Sequence, residues 1–155
     1  MAIEKVREYL KQFGANDRII ETEQSSATVE LAAAALGIEG ARIAKSLSFT
    51  VDGKCVLVVC AGDVKIDNAK FKAFFHTKAK MLAREDAERV IGHAVGGVCP
   101  FALNDGVEVY LDISLKRFET VYPACGSSNS AIELTLDELY RFSGAKEYID
   151  VCKEA

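Results

Sequence analysis

Proline is scarce in this sequence, and no apolar segment in it is long. With only two prolines and a 50% hydrophobic share, the chain has the composition of a globular protein rather than a disordered one. The longest strongly apolar run, residues 55–61, is far too short to span a bilayer, which needs about 20 residues. Charges occupy the N-terminal segment where a signal peptide needs an apolar run. The sequence therefore predicts one globular domain over residues 1–155, without a membrane partner.

The cysteines also lack a recognisable pattern. Their number is odd, at five, and none of them has the CxxC spacing of zinc sites and redox motifs. We therefore expect packed free thiols in a reducing cytoplasm rather than a disulfide framework. P-loop, dinucleotide-binding and HExxH motifs are absent as well. We expect neither a metal nor a cofactor.

A cysteine nucleophile activated by histidine is one catalytic alternative. His76 and His93 are the two histidines, and neither lies in a known nucleophile signature. The sequence does not show whether either ring approaches Cys60, Cys99 or Cys125, so this alternative stays open.

Local signals predict an α+β fold. Apolar residues at helical spacing indicate a helix over residues 2–13 that Gly14 ends. Asp52-Gly53 predicts a hairpin, with residues 54–61 as a central strand. Further strands are predicted at 18–23, 107–111, 119–122 and 131–134. One further helix is predicted over 85–91, and three are predicted to begin after caps: at Ser25, Ser26 or Thr28, at Asp67, and at the capping box 135–138. Strands concentrated in the middle and end of the chain favour a mixed, mainly antiparallel sheet.

A lysine interrupts the apolar segment 41–49. Read as a strand, this segment places Lys45, Leu47 and Phe49 on one face. Burying an unpaired ammonium is costly. Lys45 therefore either extends to a rim with its stem buried or lines a cleft where its charge meets an anion.

Two loops have the composition of binding loops. In the loop formed by Gly96, Gly97, Val98, Cys99 and Pro100, the glycines permit close approach of another molecule, and the proline fixes the exit. Its amides can face a carboxyl or carbonyl oxygen, although a plain turn is the alternative. The small, polar segment 123–130 either closes a pocket wall or forms a hairpin.

The charge distribution is uneven in a chain of net charge −4. Between residues 64 and 84, Asp67 is the single acid, and from residue 85 onward acids outnumber bases by thirteen to six. Such a basic segment is either a footprint for a phosphate backbone or a solvated helix face. Its basic side chains are Lys65, Lys70, Lys72, Lys78, Lys80 and Arg84.

In combination and order, several motifs resemble the YbaK/prolyl-tRNA editing family of aminoacyl-tRNA deacylases. The resemblance covers roughly residues 20 to 140. The matching segments are Ser26-Ala27-Thr28-Val29-Glu30-Leu31-Ala32, Leu36-Gly37, Ile43-Ala44-Lys45-Ser46-Leu47, Gly62-Asp63-Val64-Lys65-Ile66-Asp67, Ile91-Gly92-His93-Ala94-Val95-Gly96-Gly97-Val98-Cys99-Pro100-Phe101, Gly126 and Ile132-Glu133-Leu134. The resemblance implies a mixed β-sheet or flattened barrel surrounded by helices.

The resemblance also implies an activity. This is trans-acting hydrolysis of the ester between a wrong small amino acid (cysteine, alanine, serine or proline) and the 3′ end of a tRNA, such as that for proline. It makes Lys45 the essential lysine and residues 96–100 the substrate loop, with Ser46, Gly126 and Ser127 beside them. The implied partners are the tRNA acceptor end, along the basic segment, and transiently a synthetase, but not DNA.

An aminoacyl ester is already activated, so positioning and oxyanion stabilisation can suffice. Either water or a group of the substrate itself is the nucleophile. Ser46 stands where threonine or asparagine is common in the family, and Ala124-Cys125-Gly126 lacks a serine that some members carry, so the amino acid is not carried over. The alternative function is a non-catalytic module that binds aminoacyl-tRNA or an amino acid in the same cleft.

Overall fold

The structure, a computed structural model, describes residues 2–23, 28–94 and 96–155. Its helices are α1 (Ala2–Leu10), α2 (Val29–Leu36), α3 (Asn68–Phe75), α4 (Ala87–Ile91) and α5 (Leu136–Ser143). Its strands are β1 (Ile20–Glu21), β2 (Ile43–Val51), β3 (Lys54–Ala61), β4 (Val64–Ile66), β5 (Glu108–Asp112), β6 (Thr120–Pro123), β7 (Ser130–Ala131), β8 (Leu134–Thr135), β9 (Tyr148–Ile149) and β10 (Cys152–Glu154).

The main sheet has the strand order β8-β6-β2-β3-β5-β9 and curls into a half-barrel. β2 and β3 form the predicted antiparallel hairpin, whereas β6 is parallel to β2 and β5 is parallel to β3. Two antiparallel pairs, β1 with β7 and β4 with β10, lie outside this sheet. The predicted α+β class with a mixed sheet is confirmed.

Short local signals set the helix ends. The Asp67 carboxylate accepts hydrogen bonds from the amides of Ala69 (3.0 Å) and Lys70 (3.1 Å) and so begins α3. Thr135 and Glu138 form the predicted capping box at the start of α5. Thr28 caps α2 through the Leu31 amide at 3.1 Å, while Ser25 and Ser26 lie outside the described residues.

Apolar side chains on both faces of the sheet form the core around β3, whose residues 55–61 are all buried. α3 packs Phe71 against Phe49 of β2, with ring centroids 4.9 Å apart. The segment after α1 meets α5 through the stacked rings of Phe13 and Phe142, 4.3 Å apart. Each large side chain buried in this way contributes about 1.5–3 kcal/mol. Within the described residues, no helix is long and apolar enough to cross a bilayer.

Two predicted strands are shorter than expected. The strand predicted at 18–23 is only Ile20–Glu21, because residues 16–18 form a 3-10 turn. The strand predicted at 131–134 is broken into β7 and β8. The Ile132 amide bonds the Pro123 carbonyl at 3.1 Å, and the side chain of Glu133 turns towards Arg42. β4, β9 and β10 carry no signal of their own and were not predicted, because each exists through pairing with a distant segment.

Candidate active site

The outer edge of β2 is covered at its two ends but not in its middle. β6 pairs with it at Ile43 and Ala44. Towards the hairpin, the segment 80–82 bonds it through the Ser48 carbonyl (3.0 Å) and the Thr50 amide (2.8 Å). Among the described residues no other segment pairs with this edge, so it is open at residues 45–47.

A cavity of about 210 Å³ lies at this opening. It brings together five of the predicted site residues: Lys45, Ser46, Gly96, Val98 and Ser127. A wider groove continues from it over Gly97 and Gly126, and the two share Gly96, Ser127 and Ser128. Cys99 and Pro100 are buried and line neither space. One wall of the cavity is apolar and comes from α2 and its neighbours, through Val29, Ala32, Leu36, Ile43 and Ala131.

Lys45 lines the cavity with a half-buried side chain. Its ammonium donates a hydrogen bond to the Val64 carbonyl at the start of β4, so it is not unpaired. The pKa of nearby Asp63 is lowered, first by hydrogen bonds from Arg117 and also by the charge of Lys45. An ammonium has three N–H donors. The bond to Val64 uses one of these donors. Lys45 can therefore donate to a ligand while it keeps its bond to the Val64 carbonyl.

Gly97 is required where the two predicted loops touch. A Cβ at position 97 would lie 2.6 Å from the carbonyl oxygen of Gly126 and 3.1 Å from the Cα of Ser127. Gly126 in turn has φ +93°, and a Cβ there would lie 2.8 Å from the Ala2 carbonyl oxygen of α1. Within this glycine pair the positive φ belongs to Gly96, at +96°, and not to Gly97. Gly97 therefore serves loop-to-loop contact rather than an unusual backbone conformation.

The second loop is held by its own polar side chains. The Ser127 hydroxyl lies 2.8 Å from Asn129 Oδ1 and 2.7 Å from Ser130 Oγ. The Asn129 amide group donates to the Thr22 carbonyl at 3.0 Å, and the Thr22 amide donates to the Asn129 carbonyl at 2.8 Å. These bonds connect the loop to the end of β1, and the loop adds polar residues to the lining of the cavity.

A wall that sequence reasoning missed centres on Tyr122. Its ring lines the cavity, and the Arg42 guanidinium lies over it at 5.1 Å from the centroid. Arg42 also pairs with Glu133 at 3.2 Å, and Thr120 donates to the same carboxylate at 2.7 Å. The pKa of Glu133 is lowered, first by the bond from Thr120 and then by those from Tyr122 and Arg42. No single-segment signal could reveal this cluster, because its members come from the start of β2, from β6 and from the break between β7 and β8.

The structure does bring a cysteine and a histidine together, away from the cavity. Cys99 Sγ lies 3.5 Å from His93 Nε2, and both side chains are fully buried. Burial raises the pKa of Cys99 to about 12 and lowers that of His93. The Nε2 atom of His93 also lies 2.7 Å from the Phe101 carbonyl oxygen. A neutral imidazole beside a protonated, inaccessible thiol is a core contact and not a nucleophile pair.

We therefore expect Cys99→Ala to keep kcat within about threefold of wild type, while losing about 1 kcal/mol of stability for the buried sulfur. Turnover assays alongside thermal melts would check this. Abolished turnover in Cys99→Ala, matched by loss of wild-type activity on thiol alkylation, would instead establish a cysteine nucleophile.

The basic segment divides into two parts. Lys70 is engaged by the Asp150 carboxylate and the Cys152 carbonyl, both at 3.0 Å. The segment 80–82 borders the open edge of β2 on the hairpin side, through its bonds to Ser48 and Thr50. Exposed basic side chains flank that border, at Lys72, Lys78, Lys80 and Arg84, and Lys65 is exposed on β4.

A family model and two curated proteins are similar to this chain. The family model described as aminoacyl-tRNA editing domain matches residues 23–142. An uncharacterised protein of Bacillus subtilis (strain 168), YwhH, is 53% identical over 155 residues, covering 99% of both chains. The proline–tRNA ligase of the same strain is 32% identical over 125 residues, which are 80% of this chain and 22% of the ligase.

Solved structures share the fold over nearly the full chain. One, described as a candidate trans-editing enzyme for prolyl tRNA synthetase, has a TM-score of 0.89 at 27% identity, covering 98% of this chain and 97% of its own. A second, the hypothetical protein APE2540, has a TM-score of 0.85 at 29% identity, covering 96% of this chain and 99% of its own.

Proposed function

Because this chain belongs to the aminoacyl-tRNA editing domain family, of the YbaK type, we propose that it is a trans-acting deacylase of mischarged tRNA. The reaction is hydrolysis of the ester between a wrong amino acid and the tRNA 3′ end. The observation that carries this proposal is the cavity at the open edge of β2, which is lined by Lys45 and by residues of both predicted loops. We place the protein in the cytoplasm, where charged tRNA is found.

The proposed substrate carries a small amino acid of the cysteine, alanine, serine or proline class. A cavity of about 210 Å³ is smaller than the roughly 300–1,000 Å³ typical of pockets for larger ligands. Its apolar wall from α2 suits a short side chain, and its polar wall at Ser127 and Asn129 suits the ribose or the amino group. Editing such amino acids is chemically sensible, because a synthetase pocket rejects smaller analogues only weakly.

Three parts of the site have separate proposed roles. Lys45 directs its free N–H donors to the terminal phosphate or ribose and so orients the ester. The loop supports the aminoacyl group through the main chain of Gly96, Gly97 and Val98, which line the cavity and its groove. A water molecule, or a nucleophilic group of the substrate, then attacks the carbonyl carbon. Orientation and electrostatic stabilisation of an activated ester account for the rate, and no acid–base triad is needed.

A panel of mischarged tRNAs tests this function and names the substrate. Substoichiometric protein is incubated with tRNAs carrying small amino acids and, as controls, large aromatic ones. We expect repeated turnover on one or more small aminoacyl-tRNAs and none on the aromatic ones. Tight binding of a tRNA without release of its amino acid would favour the non-catalytic module.

The acceptor end of the tRNA is proposed to cross the segment 78–84 to reach the cavity. This segment borders the open edge of β2 and carries exposed cations, whereas the charge of Lys70 is already opposed by Asp150. Few phosphate contacts are available on an acidic protein, so we expect weak, transient tRNA binding that falls with salt. Contact with a prolyl-tRNA synthetase, which the relatives suggest, would be equally transient.

Reversing the charge at Lys78 or Lys80 to Glu should raise KM for aminoacyl-tRNA severalfold while leaving KM for a minimal aminoacyl-adenosine ester unchanged. Each lost phosphate contact should flatten the slope of log affinity against log salt by about 0.7. Lys146→Glu, with the same charge change outside the basic segment and outside both cavities, is the matched control. Equal KM values and salt slopes in all three variants would move the tRNA to another face and leave the cavity assignment in place.

A further inference from the structure

The open edge of β2 presents the main chain of one residue to the cavity. Along an antiparallel strand, residues alternate between bonding the partner strand and facing away from it. Thr50 and Ser48 bond the segment 80–82, so the even-numbered residues of β2 face away from β3. The amide N–H and the carbonyl of Ser46 therefore point into the gap. Among the described residues no segment pairs with Ser46 on this edge, and Ser46 lines the cavity.

An aminoacyl ester is complementary to such an edge. It carries a donor, the α-ammonium, and an acceptor, the ester carbonyl, on one carbon atom, as a residue of a strand does. In a hydrogen-bonded antiparallel pair, two facing residues exchange one N–H···O bond in each direction. The gap at Ser46 is one such position without its partner residue.

We propose that Ser46 binds the aminoacyl group through its main chain, as if the substrate were a one-residue strand. The Ser46 amide N–H donates to the ester carbonyl oxygen, and the Ser46 carbonyl accepts from the α-ammonium. This inference rests on the proposed deacylase function. It assigns to Ser46 a role that does not depend on its side chain.

The Ser46 amide then also stabilises the charge that develops during hydrolysis. Water adds to the ester carbonyl carbon, and the carbonyl oxygen gains negative charge that the Ser46 N–H stabilises. The bond between that carbon and the ribose oxygen breaks as the tetrahedral intermediate collapses. The ribose oxygen takes up the proton released by the water, giving a free tRNA hydroxyl and the free amino acid. Removing one such oxyanion donor costs about 10²–10³ in kcat in other enzymes.

The test removes a single N–H from the main chain. Ribosomal incorporation of glyceric acid, the α-hydroxy counterpart of serine, at position 46 replaces the amide with an ester and keeps the side chain. The matched control is the same replacement at Thr50 with the α-hydroxy counterpart of threonine, because that amide bonds the Lys80 carbonyl at 2.8 Å. Turnover of the substrate identified by the tRNA panel and thermal stability are measured for both.

We expect the two replacements to affect activity and stability in opposite ways. The ester at position 46 should lower kcat about a hundredfold with only a small loss of melting temperature, from the weaker Lys45 carbonyl that faces β3, whereas the ester at position 50 should lower the melting temperature further and keep kcat. Ser46→Pro and Thr50→Pro form a recombinant version of this comparison, since proline is tolerated at an edge position whose N–H has no partner. If Ser46→Pro fails to fold, the ester variant decides.

Two outcomes would overturn the inference in different ways. Full kcat in the position-46 ester variant, with an active wild type, would show that the Ser46 amide does not contact the reacting carbonyl and would leave the deacylase function standing. A wild-type protein inactive on every aminoacyl ester would remove the proposed function, and this inference with it.

Discussion

Replacing Lys45 with alanine is expected to lower kcat for deacylation by at least about a hundredfold while the protein stays folded. Lys45 lines the cavity and its ammonium is anchored at the Val64 carbonyl, so we expect its two remaining N–H donors to be available to the ester or its phosphate. The loss of that one hydrogen bond should cost only about 1 kcal/mol of stability. Single-turnover deacylation and thermal melts of the same preparation would measure both effects.

Two further lysine variants test whether the effect is specific to an ammonium group at position 45. Lys45→Arg should also be poor, because a planar guanidinium does not reproduce a compact ammonium on a flexible stem. Lys54→Ala, at the hairpin end of the same sheet and outside the cavity, should retain full activity. A folded Lys45→Ala protein with wild-type kcat would rule out the proposed role of this lysine.

Gly97→Val is expected to lower kcat/KM by about a hundredfold or more and to destabilise the protein by about 1–3 kcal/mol. The new Cβ would lie 2.6 Å from the Gly126 carbonyl oxygen, and that neighbour is main chain that cannot rotate away. The two loops must separate, and both line the cavity and the groove that continues from it. Steady-state kinetics together with denaturant unfolding would check both effects.

A control variant with a similar loss of stability separates the effect of the loop contact on activity from the effect of general destabilisation. Gly144 ends α5 at φ +66° with open space around it, so Gly144→Ala is strained without displacing either loop. It should lose roughly 1 kcal/mol and keep its activity. If Gly144→Ala and Gly97→Val lost activity in proportion to stability alone, the loop contact would have no specific part in catalysis.

Signals confined to a few neighbouring residues predicted their elements well. Asp67, the Asp52-Gly53 turn and the Thr135 capping box each act within one turn of chain, and each begins or ends the expected element. Short strands formed by distant pairing could not be predicted in this way. β10, for example, has no alternation of its own and exists because it pairs with β4.

The residues of the candidate site likewise fall into those with a local sequence signal and those brought together by distant contacts. Lys45 and the glycine loops could be proposed from sequence because each lies in a distinctive local motif, and five of these predicted residues line one cavity. The cluster of Arg42, Tyr122 and Glu133, of which Tyr122 lines the cavity, was missed, because its contacts join segments about 80 to 90 residues apart in the chain. The open edge at Ser46 was equally hidden, since it depends on where β6 stops pairing and where the segment 80–82 begins.

The most direct measurement of the central claim is the number of amino acid molecules released per protein molecule from a tRNA charged with a small non-cognate amino acid. We expect many releases per wild-type molecule and nearly none from folded Lys45→Ala at the same tRNA concentration. A wild-type protein that binds these tRNAs but releases no more amino acid than Lys45→Ala would contradict it and would leave a binding module in its place.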